Sequence, residues 1–372
     1  MGVAIVPALA LDFAYRPALI GIDFHTYAAA AMIGLHDGWS RIYDQGLVTV
    51  AQKTLVPGYR AQPFLSPPTV AWVVAPLQAL PYTFAFELWV AITLSAMLFA
   101  LAWSSTYRGT ARVAAVLVAL IPWWGAQALM VGQVVPLVAA ALLVSWRLLR
   151  DDHDVAAGLV LALLLLKPNT ALLAPLALLV AGRFRAFAVW VGAAAIVAGI
   201  SFVTLGVHGF GAYMAELSRL PSGANGLTLN GTFGIAGAAA TVARVLIIAV
   251  TLITAFRYRH RVGLVLAAGA MGSLMIAPYL HASDLCVLIA AGWMIWHERA
   301  DPLLRAILTF GVLMATPLDA IAGLGPPVNR WLIYEMGLGL VLAVMAWLPE
   351  NALAQRAAVL TGRADFGKQA PA

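Results

Sequence analysis

Long runs of Leu, Ala, Val and Ile, separated by short loops that carry Arg, are the feature that most restricts how this chain can fold. A helix needs about 20 apolar residues to cross a bilayer. Backbone amides in lipid must bond within their own segment or within a closed barrel. Barrel strands alternate in polarity over about ten residues, whereas these runs are continuous. The expectation is therefore an all-α, polytopic transmembrane helical bundle. A mean hydropathy of +0.91 lies outside the range of soluble domains and agrees.

The charges serve topology. A net charge of +6 can signal a nucleic-acid partner, but here the basic residues sit singly or in pairs at the ends of apolar runs. No nucleic acid is expected. The spans read from the sequence are 1–21, 83–103, 113–129, 134–149, 155–166, 168–181, 186–205, 236–256, 262–279, 285–297, 303–323 and 331–348, about twelve, several of them short. The hairpin 155–181 is expected to penetrate only partly. With this alternation, fourteen of the 22 Lys and Arg residues fall on one side and six on the other, which marks the first side as cytoplasmic. Both termini then face the cytoplasm, residues 1–348 form one domain, and 349–372 form a polar cytoplasmic tail. The amino terminus lacks a basic leader region with a small-residue cleavage site and reads as a retained first span, interrupted by Asp12 and Arg16. Cys286 is the single cysteine and can form no intrachain disulfide.

The outer loops are unequal. Residues 23–82 form one long segment and 205–230 a second, while the rest are short tips, so chemistry is expected outside. Within the first loop, 24–35 has the composition of a helix lying along the surface, and the proline-punctuated 65–81 reads as re-entrant or interfacial.

Asp23 opens that loop where the first apolar segment leaves the membrane. An ionisable group there is a functional candidate, although Asp at this position can equally cap the helix that follows. Asp37 and Asp44 are fallback carboxylates, each also suited to a turn. A negatively charged leaving group at the outer face would need cations or strong donors. Lys167 and His281 are the best placed, with Arg219, Arg60 and Arg330 as further candidates. The alternatives are snorkelling for Lys167, a structural loop histidine for His281 and interfacial anchoring for the arginines. Gln127, Gln133 and Asn230 can bind sugar hydroxyls or bond between helices. Asp284 can orient His281 or cap the next span. Trp39, Tyr43, Tyr59, Trp123 and Trp124 can stack on a sugar, but an interfacial aromatic belt places them there too.

The order of motifs in the chain is D-F-H-T-Y at 23–27, W-S-R-I-Y-D at 39–44 and F-L-S-P-P-T-V-A-W at 64–72. V-G-Q-V at 131–134, L-L-K-P at 165–168, G-R-F-R-A at 182–186, L-N-G-T at 229–232 and A-P-Y-L-H-A-S-D-L at 277–285 follow. This order resembles the polytopic glycosyltransferases of superfamily C, most closely the family 87 polyprenyl-phosphate-dependent mannosyltransferase-like proteins. The resemblance implies a multi-pass enzyme of the bacterial inner membrane. It would be an inverting transferase that moves a mannose-like hexose or a pentose from a polyprenyl-phosphate donor to a lipid or glycan acceptor on the extracytoplasmic side. It assigns Asp23 as the general base. Lys167, His281 and Arg219 would hold the donor phosphate, with Tyr27, Tyr279, Gln133, Asn230 and Asp284 around the substrates. The chain carries no Walker loop, no dinucleotide fingerprint and no Cys/His metal cluster, so no cofactor and no metal are expected. The rival reading is a polytopic transporter or lipid flippase, whose marks would be repeated halves and broken helices at the midplane. A non-catalytic assembly protein would leave the outer Asp, Lys and His residues without a task.

Overall fold

The computed structural model describes residues 20–219, 227–299, 301–315 and 331–348. Most of the first expected span, Asp12, Arg16, Arg330 and the 349–372 tail lie outside the described residues. The described residues are helical, with no strand among them.

The bundle is carried by α4 (Tyr82–Ser104), α7 (Val135–Arg150), α10 (Phe184–Ser218), α12 (Gly237–Arg257), α13 (Val262–Ile276) and α14 (Val287–Glu298). Between them lie α5 (Gly109–Ala119), α6 (Trp123–Met130), α8 (Asp154–Leu161) and α9 (Leu173–Val180), and α15 (Pro302–Met314) and α16 (Trp331–Met345) close the chain. Among the described residues, α4, α10 and α12 are long and apolar enough to cross a membrane, and α5 with α6 adds a pair bent by 70°. Helix length alone therefore supports fewer spans than about twelve. Phe99, Phe184, Ile196, Val203, Val207 and Leu246 stand exposed on the long helices. Such a surface is satisfied by lipid and not by water, so the chain is a membrane protein.

Close helix approach depends on small residues. A Cβ on Gly269 of α13 would lie 2.5 Å from the Ala174 backbone of α9, and Ser273 accepts a 2.8 Å hydrogen bond from the Leu173 amide across the same seam. This is the small-residue packing expected where lipid supplies no hydrophobic drive between helices.

The first loop departs from its surface-lying expectation. Its helix α1 (Ile22–His36) is buried, with Phe24, Tyr27, Ala28, Ala29, Ala30 and Ala31 inside. The alanines let neighbouring segments approach α1 from several sides at once. α2 (Gln45–Leu55) and α3 (Pro68–Val74) pack around it, forming a second, smaller core that Trp89, Val134, Leu166 and Leu205 complete. The proline-rich stretch is short helix and 3-10 turn, since Pro67, Pro68 and Pro76 allow no longer helix.

The second loop also differs, because α10 runs on through it to Ser218 with one break, at Gly206 (φ 62°, ψ −178°). That conformation suits glycine. It turns the last stretch of α10 onto the first loop, where Tyr213 stacks on Tyr43 with centroids 4.6 Å apart. A Cβ on Gly209 would lie 2.6 Å from the Ser40 carbonyl oxygen.

Candidate functional site

The site begins with the way α1 is capped. Its N-cap is Gly21 in the left-handed region (φ 70°), and no side chain caps the helix. The orphan amides of the first turn are instead satisfied by another segment: Gly21 donates to the Met130 carbonyl at 2.7 Å, and Asp23 and Phe24 donate to the Val131 carbonyl at 2.9 and 3.2 Å. The capping role weighed for Asp23 is thus filled by backbone, and its carboxylate is left available. The V-G-Q-V segment has the shape this requires. Gly132 holds φ 72°, and a Cβ there would lie 2.5 Å from Phe24 Cβ, while its carbonyl accepts from Trp89 Nε1 at 2.8 Å.

Asp23 is surrounded by protein yet keeps accessible surface, as a residue lining a recess does. Burial raises its pKa above the ordinary carboxylate value. Lys167 and His281 pull it back, Asp284 pushes it up, and a hydrogen bond from the Gln133 side chain favours the ionised form. The net displacement is upward. A weak acid of this kind is a better proton acceptor than an ordinary aspartate.

Two later tips supply the opposing charges. The expected hairpin breaks at Lys167, which sits between the 3-10 turns Ala162–Leu166 and Pro168–Thr170. Its ammonium lies 2.6 Å from Asp284 Oδ1. Asp284 is fully buried, and its Oδ2 accepts from the His281 amide at 2.8 Å. Of the two roles weighed for Asp284, the capping one matches this geometry, since the carboxylate accepts from the backbone amide at the start of the 3-10 turn Ala282–Cys286 that leads into α14. One carboxylate fixes the Lys167 ammonium and the His281 backbone, and burying either member of the Lys167–Asp284 pair without the other would cost several kcal/mol. Asn169 Nδ2 donates to the Tyr279 carbonyl at 3.2 Å and ties the two tips together a second time. His281 is exposed, and its Nε2 is in close contact with the Tyr279 hydroxyl.

Tyr27 and Gln133 form the wall beside Asp23. The Tyr27 hydroxyl donates to Gln133 Oε1 at 2.8 Å, and the same oxygen accepts from the Val134 amide at 3.2 Å. Both side chains are buried. Burial and the Asp23 charge hold the Tyr27 hydroxyl protonated, with its pKa well above the usual phenol value. Tyr59 donates to the Ile20 carbonyl at 2.6 Å, and its pKa is pushed up to about 12 by burial and then by Asp23.

Asp23, Lys167, His281, Asp284 and Gln133 therefore form one electrostatic group, with Tyr27 and Tyr279 against it. Arg219 and Asn230 are not among the groups that act on Asp23. Arg219 is exposed and pairs with Glu216 at 2.5 Å within its own helix. Asn230 lies in the short helix α11 (Leu229–Phe233). Asp44 caps α2, accepting from Gly46 and Leu47 at 3.0 and 3.2 Å, as a turn residue does. The Lys167–Asp284 pair and the tie from Asn169 went unread in the sequence. A lysine and an aspartate at two neighbouring polar tips were its only signal. Among the described residues no group of His, Cys, Asp and Glu side chains is arranged to hold a metal ion.

Comparison with known proteins gives one family. The sequence profile of glycosyltransferase family 87 matches residues 64–318, a stretch that holds Gln133, Lys167, Arg219, Asn230, Tyr279, His281 and Asp284 and begins downstream of Asp23 and Tyr27. No curated protein and no solved structure matches the chain.

Proposed function

Since the chain belongs to glycosyltransferase family 87, we propose that it transfers a hexose, mannose-like, or a pentose from a polyprenyl-phosphate donor to a lipid or glycan acceptor at the extracytoplasmic membrane face. The observation that carries this reading is that Lys167 and His281, from two later parts of the chain, both lie close enough to Asp23 for their charges to act on its carboxylate. Asp23 takes the proton of the acceptor hydroxyl as that oxygen bonds to the anomeric carbon. The bond from the anomeric carbon to the phosphate oxygen breaks on the opposite side, so the configuration inverts. The departing polyprenyl phosphate carries the negative charge, which Lys167 and His281 stabilise, with Arg219 as a cation for the approaching donor.

The ion pair refines the role of Lys167. Its charge is shared with Asp284, so the lysine is held in position and gives the phosphate a fixed donor. Tyr27, Gln133 and Tyr279 shape the sugar and acceptor side, and Asn230 contributes from its own short helix.

The test is acceptor dependence. Purified protein in liposomes, given a polyprenyl-phosphate mannose donor, is expected to release polyprenyl phosphate only when an acceptor is present. Movement of the donor between leaflets without acceptor, and without cleavage of the sugar, would favour the flippase instead.

A further inference from the structure

α12, α13 and α16 leave a cleft between them, with a volume of about 330 Å³. Two glycines of α16 keep it open. A Cβ on Gly339 would lie 3.3 Å from Met275 Cε on the facing wall, and a Cβ on Gly337 would meet no atom within 4 Å. Leu246, Val250 and Leu340 stand exposed along the rim, while Thr251, Met271 and Met275 are buried along the wall. The cleft therefore opens sideways, onto a surface that lipid covers.

Its chemistry limits what can fill it. Thr251 and Thr254 are the only polar side chains among those that line it, and water needs two to four polar partners to stay in a buried site. Hydrocarbon needs none. The shape is that of a chain: Ala268, Met271 and Met275, spaced i, i+3 and i+7, line the cleft along about 10 Å of α13. A helix 10–12 Å across would need on the order of 800 Å³ over that length, so the cleft is too narrow for one.

The cleft also lies apart from the candidate site. Gly269 and Ser273, which pack on α9, are about a third to half a turn round α13 from the stripe that lines it. α9 follows directly on the Lys167 tip, so the cleft faces away from the seam that leads to Lys167. None of the residues lining it is charged. A chain held here is recognised by its hydrocarbon and not by its headgroup.

We infer that this cleft binds one acyl chain of a bilayer phospholipid, which fills the gap left by Gly337 and Gly339 and joins α16 to α12 and α13. Met271, Met275 and Met336 give it walls that adjust to an irregular chain. Each methylene buried there adds to retention, so a long chain is held and a short one is not. The proposal is independent of the transferase reading.

The experiment uses the full chain in neutral detergent, stripped of lipid. Dioleoyl phosphatidylcholine, dioleoyl phosphatidylglycerol, dihexanoyl phosphatidylcholine or a polyprenyl phosphate is added, and retained lipid is read by native mass spectrometry alongside the melting temperature. The two dioleoyl lipids are expected to be retained alike and to raise the melting temperature, and the dihexanoyl lipid to do neither. Gly337→Phe, whose side chain grows into the open cleft, should weaken retention about tenfold or more and melt higher than wild type without lipid. Val203→Phe, at a lipid-facing position of α10 that is 80% exposed, should keep the wild-type response. If Gly337→Phe fails to fold, Gly337→Leu is expected to show a partial loss. Equal retention by wild type and the Gly337 variants would overturn the proposal. Retention of the polyprenyl phosphate in place of the dioleoyl lipids would overturn it in favour of a donor chain, and a dimer that Gly337→Phe dissociates would overturn it in favour of a second copy.

Discussion

The Lys167 ammonium lies 2.6 Å from the Asp284 carboxylate, which has no exposed surface. Lys167 is nearly buried itself, with 12% of its side chain accessible. Removing one partner of such a pair leaves an uncompensated buried charge, which costs about 3–5 kcal/mol. Lys167→Met is therefore expected to lower the melting temperature and abolish transfer. Lys167→Met with Asp284→Leu should recover most of the stability and none of the activity. A double variant that stays as unstable as the single one would show that the pair does not set the fold here.

Gly132 makes a second prediction. It combines φ 72° with a site where a Cβ would press on Phe24, the residue after Asp23. Gly132→Ala is expected to cost about 1–3 kcal/mol in strain. Because the same segment caps α1, transfer should fall further than stability. Thermal unfolding and turnover measured on one preparation would separate the two effects.

His25 predicts a pH dependence of stability. It is fully buried between Tyr59 and Tyr82, with ring centroids 4.8 and 5.4 Å away. Burial holds its pKa down at about 4, from an ordinary value of 6.5. A base whose folded pKa is depressed binds more protons when unfolded, so stability is intact above pH 6.5 and is lost as pH falls from 6.5 towards 4. The loss amounts to about 3 kcal/mol at the acid end. His25→Phe should flatten that slope. An unchanged slope in denaturant melts between these pH values would assign the acid sensitivity to other groups.

Much of this architecture was legible before any coordinates. Apolar runs of spanning length gave the helices, and the run 83–103 corresponds to Tyr82–Ser104 almost residue for residue. Helix ends that depend on tertiary contacts were harder to read. α10 continues past its expected end because Gly206 bends it without stopping it, and a lone glycine in an apolar run does not announce which it will do. The burial of α1 was hidden for a related reason. Four alanines look like a weak surface face until other segments close around them.

The candidate site was legible as residue types and not as pairings. Asp23, Lys167 and His281 stood out because each is an ionisable group at the edge of an apolar run. Asp284 bonds the His281 amide three residues away, a local capping contact, but that it would also hold Lys167 is a contact between distant tips that no local pattern encodes. Nor could the sequence say that Val131 would cap α1 through its carbonyl and leave the Asp23 carboxylate unspent.

Asp23 as the proton acceptor is the central claim, and the pH profile of sugar transfer by wild type, Asp23→Asn and Asp23→Glu tests it most directly. Wild-type kcat/KM should fall on the acid side with an apparent pKa displaced above 3.8, the ordinary value for this carboxylate. Asp23→Asn should lose transfer by at least about a hundredfold across the range while keeping its melting temperature, and Asp23→Glu should retain a small part with a moved acid limb. Near wild-type transfer by Asp23→Asn, with the same acid limb, would contradict the assignment.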